Sequence, residues 1–459
     1  MSANSAPAGD LSALLIRRVF YPLWALKNRS SRLHYFAELE KSQYWSTKML
    51  VDQQWPLFKA MVTHAFETCP YYRQKFREAG INPRDLRSST DIDSIPTITK
   101  DEIQEHRNEM ISTKYSKETL IGDMTGGSTG SPMQFYYDKD RLDRRVGATL
   151  RHNRWAGWDV GAKVAILWGA PQDTKVPSKL KDRIRDWVQE RRIILDASAL
   201  SEAAMADFAR ELIRYRPIVL QAYSNTLGLF ARYIQAQKIQ GIRPEGIICS
   251  AEVLTEDNRR LIEATFGCSV YNRYGCREFA VIASECEAHQ GLHINAENLL
   301  VEAVNKGRSC MDEDGEIVIT DLRNFAMPMI RYRIRDVGRV QRATCTCGRG
   351  LPLMQLAGGR VTDFLVATNG DKVSGIVIAT YVITNLPGIR QVQFVQNELG
   401  SLTINLVKSS SWTTTAMTEL IARIRRYLGD DIRLKIEFKE HIPSQQSGKY
   451  QFSISTVTS

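Results

Sequence analysis

No run of about eighteen apolar residues occurs in this 459-residue sequence, so no membrane-spanning helix is expected. The opening segment, MSANSAPAGDLSALLIRRVFYPLW, does not read as a secretory signal. Arg17 and Arg18 interrupt its apolar part, and no small-residue cleavage site follows. Internal repeats and low-complexity tracts are also missing, which sets aside solenoids and disordered tails. Cysteine is sparse, at eight residues. That is too few for a disulfide scaffold in a chain of this size, and it suits a cytoplasmic protein that uses some thiols for metal. The net charge of +10 is not gathered into one basic run, so nucleic acid is not an expected partner. An acidic ligand such as a nucleotide, or an anionic surface, fits the charge better.

What is present is a globular composition, 43% apolar and 24% charged, in a chain long enough for two or three units. Leu11 to Lys27 has a helical pattern of apolar and basic residues with Pro22 inside it. Two readings fit: a helix lying on a membrane surface, or one packed on the protein's own body. Further helical pattern runs to Glu109, broken at Cys69-Pro70 and from Gly80 to Pro83. Thr99 is positioned to cap a helix starting near Lys100. From Lys163 the text alternates short apolar runs (VAILWGA, RRIILDAS, RPIVLQAYS, EGIICSAE, CSVYNRYG) with helical stretches such as Ser201 to Arg216 and Thr226 to Gln240. This alternation predicts a parallel sheet with crossover helices. Functional groups in such sheets gather at the carboxyl ends of strands. Ser250-Ala251-Glu252 and Tyr274 to Glu278 are both expected just after such strands. Beyond about Gly291 the pattern turns to β (LLVEAV, EIVITDL, MIRYRI). The segment from about Thr362 has its own strands and a helix over Thr414 to Leu428, a small α+β domain.

The stretch MTGGSTGSP, Met124 to Pro132, packs three glycines and four hydroxyls into nine residues. Glycine-rich turns let backbone N–H groups converge on an anion. No lysine follows Gly130, so the Walker pattern is absent. Taken alone, the stretch fits a phosphate cradle and a pliable turn equally. Cys286, His293, Cys345 and Cys347 are the residue types that close a tetrahedral structural zinc site. The Cys-x-Cys spacing is tighter than usual, and reduced buried thiols are the alternative. His289 is the alternate fourth ligand. Cys69, Cys249, Cys268, Cys276 and Cys310 read as ordinary core or loop cysteines.

Five segments, in one order, carry a resemblance. TGGSTGSP resembles the phosphate loop of the adenylate-forming ligases. YGCREF (Tyr274 to Phe279) resembles their tyrosine-glycine-x-x-glutamate motif. TDLRNFAMPMIRYRIRDVGRV (Thr320 to Val340) resembles their aspartate-bearing segment. GGRVTDFL (Gly358 to Leu365) resembles their hinge, and SGKYQF (Ser447 to Phe452) the segment of their C-terminal lysine. TCPYYRQKF and CTCGRGLP point to the phenylacetate–CoA ligase family, including its capsular-polysaccharide-associated members.

The resemblance implies a large N-terminal adenylation domain, 1–360, of parallel α/β subdomains plus a β portion. A small mobile C-terminal domain, 361–459, would follow. It implies an enzyme that joins a carboxylic acid to the α-phosphate of ATP, releases pyrophosphate, and then makes an acyl-CoA. Thr125, Gly126, Gly127, Ser128, Thr129 and Gly130 would hold the β- and γ-phosphates. Ser250, Ala251, Glu252, Tyr274 and Gly275 would border adenine and acyl pocket. Asp336 would take the ribose hydroxyls, with Arg360 near ribose and phosphate. Glu278 would ligate Mg²⁺, and Lys449 would bring positive charge to the reacting carboxylate. The chain departs from the family pattern at three places. Gly126 replaces a serine. Arg277 replaces a threonine and would serve the acyl substrate or a phosphate. The hinge has Thr362 beside Asp363. The resemblance also implies zinc on the Cys/His set. It leaves open transfer to an amine or hydroxyl instead of CoA, a homodimer, and peripheral contact with the inner membrane face. A nucleotide-binding protein without catalysis is the remaining alternative, opposed by the presence of Lys449, Glu278 and Asp336 together.

Overall fold

The structure, a computed structural model, describes residues 10–125, 133–168, 191–196, 202–357, 364–374, 378, 382, 386, 388–409, 412–442 and 453–457. Gly126, Gly127, Ser128, Thr129, Gly130, Arg360, Thr362, Asp363 and Lys449 lie outside the described residues. The described residues fall into two compact units. One draws on 10–125, Met133–Val160 and 271–357. The other draws on 161–168, 191–196, 202–270 and those from 364 onward.

The first unit is built on an antiparallel run of strands in the order Arg308–Cys310, Leu299–Asn305, Gly315–Asp321, Tyr332–Gln341, Leu353–Leu356, Leu292–Ile294, Ala280–Ser284 and Ser269–Cys276. Helix Thr47–Thr68 packs on it because Leu50, Phe58, Met61, Val62 and Ala65 recur at three- and four-residue steps and so share one face. Fully buried Phe58 and Met61 each contribute roughly 1.5–3 kcal/mol. Cys69-Pro70 separates this helix from Pro70–Glu78, as the sequence pattern implies. Thr99 caps helix Lys100–Glu105: its hydroxyl accepts the Glu102 N–H at 3.3 Å, and the Glu102 carboxylate accepts the Thr99 N–H at 2.8 Å.

Arg331 ties distant parts of this unit together. It is 2% exposed, with φ at +49° in the left-handed region. Its Nη1 donates to the carbonyls of Ile92, Asp93 and Ile95 at 3.1, 3.1 and 2.8 Å. Its Nη2 pairs with Glu302 at 3.0 Å.

In the second unit, Arg192–Asp196, Val164–Trp168, Val219–Tyr223 and Gly246–Ser250 are parallel neighbours joined through helices Glu202–Tyr215 and Ser224–Ala236. This is the predicted crossover pattern. The same unit holds a four-stranded sheet of Arg433–Phe438, Ser401–Lys408, Ile389–Gln396 and Ser453–Ser455. Its helix, Thr414–Leu428, has the bounds read from the sequence, with Ala416, Leu420, Ile424 and Leu428 buried.

One expectation is corrected. Arg277 and Glu278 do follow a strand, but Tyr274 and Gly275 lie within its last residues, Ser269–Cys276, and the chain after it turns back antiparallel as Ala280–Ser284. The reason is the three-residue turn Arg277–Phe279, too short for any parallel crossover.

Candidate active site and candidate metal centre

The hairpin arms Ile121–Met124 and Gln134–Tyr137 pair antiparallel and bracket the glycine-rich stretch. Thr125 closes the neck. Its N–H donates to the Met133 carbonyl at 3.0 Å, and its hydroxyl accepts the Met133 N–H at 2.9 Å. The residue read as a phosphate donor therefore also fixes where the loop leaves and rejoins the hairpin.

Tyr274, Gly275, Arg277 and Glu278 stand on the next hairpin. A Cβ on Gly275 would meet the Ala280 carbonyl oxygen at 2.4 Å. Only glycine permits this close approach, where the register slips between Tyr274 and Gly275. The turn presents Glu278, whose Oε1 accepts from the Tyr332 hydroxyl at 3.4 Å. Tyr332 also packs on buried Phe279, with ring centroids 6.0 Å apart. Cys276 lies beside it. Burial and the Glu278 carboxylate raise its thiol well above the usual value, so it stays protonated.

Asp336 reaches the same place through an irregularity. Strand Tyr332–Gln341 shifts register between Glu316/Val337 and Val318/Arg333. The extra residues bulge, Arg335 takes φ +66°, and Asp336 accepts from the Tyr274 hydroxyl at 2.7 Å. The structure thus brings together Tyr274 and Asp336, sixty-two positions apart.

In the second unit, Ser250 ends its strand, Ala251 has φ +67° and Glu252 is buried. A left-handed alanine is strained, and such strain clusters at functional positions. The Ser224 hydroxyl holds the Glu252 carbonyl at 3.2 Å.

Sequence reading missed Arg145. Its Nη2 donates to the Arg277 carbonyl at 2.6 Å, behind the Glu278 turn. No local motif marks it; the only signal is its spacing of one helical turn from Arg141.

The four predicted zinc ligands converge. The ligand atoms of Cys286, His293, Cys345 and Cys347 all lie within 4.8 Å of one another, and Cys286, His293 and Cys345 are buried. Cys286 Sγ and Cys345 Sγ are 3.6 Å apart, and Cys347 Sγ is 3.4 Å from His293 Nε2. A zinc–sulfur distance of about 2.3 Å in a tetrahedron puts ligand atoms roughly 3.5–3.8 Å apart, so the set fits. The Leu351 carbonyl, 3.2 Å from His293 Nδ1, accepts a hydrogen bond and leaves Nε2 its lone pair. Burial lowers His293 to about 4, so the imidazole is neutral, as a ligand must be. Backbone N–H groups of Ala288 and Arg349 point at the Cys286 and Cys347 sulfurs, each at 3.4 Å. His289 is occupied elsewhere, paired with Glu285 at 3.2 Å.

The stretch 365–456 matches the family described as CapK C-terminal domain. The chain is 24% identical over 442 residues to protein CapK of Staphylococcus aureus, covering 94% of each. It is 26% identical over 358 residues to phenylacetate-coenzyme A ligase of Thermus thermophilus, covering 72% of this chain and 74% of the relative. Its fold is similar to that of 2-hydroxyisobutyryl-CoA ligase crystallised with 2-HIB-AMP and CoA. The TM-score is 0.60 at 18% identity, with 87% of this chain and 88% of that one covered.

Proposed function

Because this chain is a CapK-like homologue of the phenylacetate–coenzyme A ligases, we propose that it is an ATP-dependent carboxylate-activating ligase. It forms an acyl-adenylate with release of pyrophosphate and then an acyl-CoA. The observation that carries this reading is the Tyr274–Asp336 pair, which joins the motif of Tyr274 and Glu278 to the aspartate-bearing segment sixty-two positions on, within one unit.

In this reading Asp336, oriented by the Tyr274 hydroxyl, accepts the two ribose hydroxyls. Thr125 and the glycine-rich stretch that follows it hold the β- and γ-phosphates. Glu278 offers a carboxylate oxygen, the donor a hard divalent cation prefers. Bound Mg²⁺ would supply charge neutralisation across the phosphates. Lys449 brings the positive charge the loop lacks, on a small domain beginning near the Arg360–Asp363 hinge. The family match from residue 365 supports that boundary. Dependence on ATP and CoA places the reaction in the cytoplasm.

Cys286, His293, Cys345 and Cys347 would hold a structural zinc ion. Four protein ligands close the tetrahedron, so no position is left for substrate.

The N-terminal helix rests on an anionic membrane face. It buries its smaller residues Ala13 and Ala25, with Ile16 and Tyr21, and turns Leu11, Leu23 and Leu26 outward at 73%, 57% and 76% exposure. Arg18, Lys27 and Arg29 flank that apolar face, and no acidic residue occurs between Asp10 and Glu38. Sedimentation of the full chain with phosphatidylglycerol vesicles, but not with phosphatidylcholine vesicles, is the expected result. Equal recovery with both would remove this assignment.

The deciding experiment is ATP–pyrophosphate exchange over a panel of carboxylic, amino and uronic acids, with product mass spectrometry with and without CoA. Lys449→Ala should lower exchange by orders of magnitude. A near-wild-type rate would take Lys449 out of the reaction. Likeness to CapK over 94% of the chain favours one second reading, an amine or hydroxyl acceptor. An acyl-adenylate that persists when CoA is added but is consumed by an added amine or sugar hydroxyl would establish it.

A further inference from the structure

Helix Lys139–Trp155 places Arg141 and Arg145 one turn apart on a single face. Arg141 is 1% exposed, and only its Nε is engaged, donating to Asp321 Oδ2 at 2.6 Å. Its Nη1 and Nη2 are buried without a hydrogen-bond partner. Arg145 spends Nη2 on the Arg277 carbonyl, and its guanidinium lies 4.6 Å over the Tyr137 ring. Its Nη1 is likewise buried without a partner. Among the described residues no carboxylate forms an ion pair with Arg145. Among the described residues, three guanidinium nitrogens are therefore buried with no acceptor for their protons, on groups that keep their charge.

Buried donors are almost always satisfied, and a charged donor left unmet is the costliest kind. Burial and the neighbouring Arg141 push the Arg145 guanidinium below the usual arginine value. Beyond the Asp321 carboxylate that Arg141 already holds, the pair has donors for a further oxyanion, which guanidinium forks bind in bidentate fashion. Arg145 grips the carbonyl between Arg277 and Glu278, so this unmet demand borders the turn proposed to activate the substrate.

We infer that Arg141 and Arg145 bind a second acidic group of the acyl substrate, making dianionic acids the preferred class. This deepens the proposed ligase reading and rests on it. The same oxyanion chemistry has one other source, the phosphates of ATP, and the test separates the two.

The full chain is melted with matched pairs that differ by one acidic group: glutarate against butyrate, 3-phosphoglycerate against glycerate, galactarate against galactonate. ATP is tested separately. At least one dianion should raise the melting temperature more than its monoanionic partner. Arg145→Gln should abolish that difference, while its response to ATP stays unchanged. Arg145→Lys, which keeps the charge but loses the fork, should retain part of the difference; it also carries the test if the glutamine variant does not fold. In pyrophosphate release the same dianion should lose at least about tenfold in kcat/KM in Arg145→Gln, mainly through KM.

The inference is overturned if no pair differs, or if the difference survives in Arg145→Gln. It is also overturned if the variant loses its ATP response instead, which would assign the anion to the nucleotide. Pyrophosphate release by the wild type with any monoacid upholds the ligase reading whatever Arg145 does, so the two failures are distinguishable.

Discussion

The Tyr274 hydroxyl donates to Asp336 Oδ2 at 2.7 Å, joining a hairpin strand to a bulge sixty-two residues further on. A carboxylate so held has one oxygen oriented before any ligand arrives. Tyr274→Phe should therefore raise the KM for ATP roughly ten- to 150-fold, the equivalent of about 1.5–3 kcal/mol for one hydrogen bond to a charged group. Asp336→Asn should cost more, because it removes the acceptor itself. Exchange kinetics at varied ATP check both, and an unchanged KM in Tyr274→Phe would make the contact purely structural.

Purified protein should carry one equivalent of zinc by metal analysis. The double variant Cys345→Ser, Cys347→Ser should carry none and melt at a lower temperature. A full equivalent in that variant would refute the ligand set.

Glu102 links acid stability to a helix start. Burial opposes its charge, but hydrogen bonds from Lys75, Thr99 and Tyr71 outweigh it and hold the carboxyl at about 2 instead of 4.5. A depressed folded value stabilises the protein above the unfolded value, and that contribution is lost as pH falls through about 2. Glu102→Gln should be less stable at neutral pH, and its stability should fall less steeply below about pH 4.5. Thr99→Ala should cost about 1 kcal/mol through the lost cap. Urea midpoints across pH measure both.

Gly350 allows the segment carrying Cys345 and Cys347 to lie against the turn before helix Thr47–Thr68. Its N–H donates to the Gln43 carbonyl at 2.9 Å. A Cβ there would sit 1.8 Å from the Trp45 carbonyl oxygen. Gly350→Ala should destabilise by about 1–3 kcal/mol or more, as forced overpacking does. An unchanged denaturation midpoint would contradict the fit.

The parts legible in the sequence were those written in local periodicity. Helix Thr414–Leu428 shows its buried stripe every three or four residues, and the Thr99 cap shows its Glu102 three positions later. The convergence of Cys286, His293, Cys345 and Cys347 was legible because their residue types are few and chemically specific. The antiparallel turn-back at Tyr274 was not, since a buried strand reads the same whichever way its neighbour runs. Arg145 stayed hidden for a related reason. An arginine in a polar helix looks solvated until the fold shows what covers it.

Arg331 closes its bonds to Ile92, Asp93 and Ile95 across as many as 239 residues. At roughly 5–20 residues per second of synthesis, the segment around Asp93 waits about 10–50 s for its anchor to leave the ribosome. Through that interval the helices before it have their hydrophobic faces made but no sheet to cover them. The nascent segment up to Ile95 thus keeps apolar surface uncovered until Arg331 is made, and variants at Arg331 should show themselves first as poor yield.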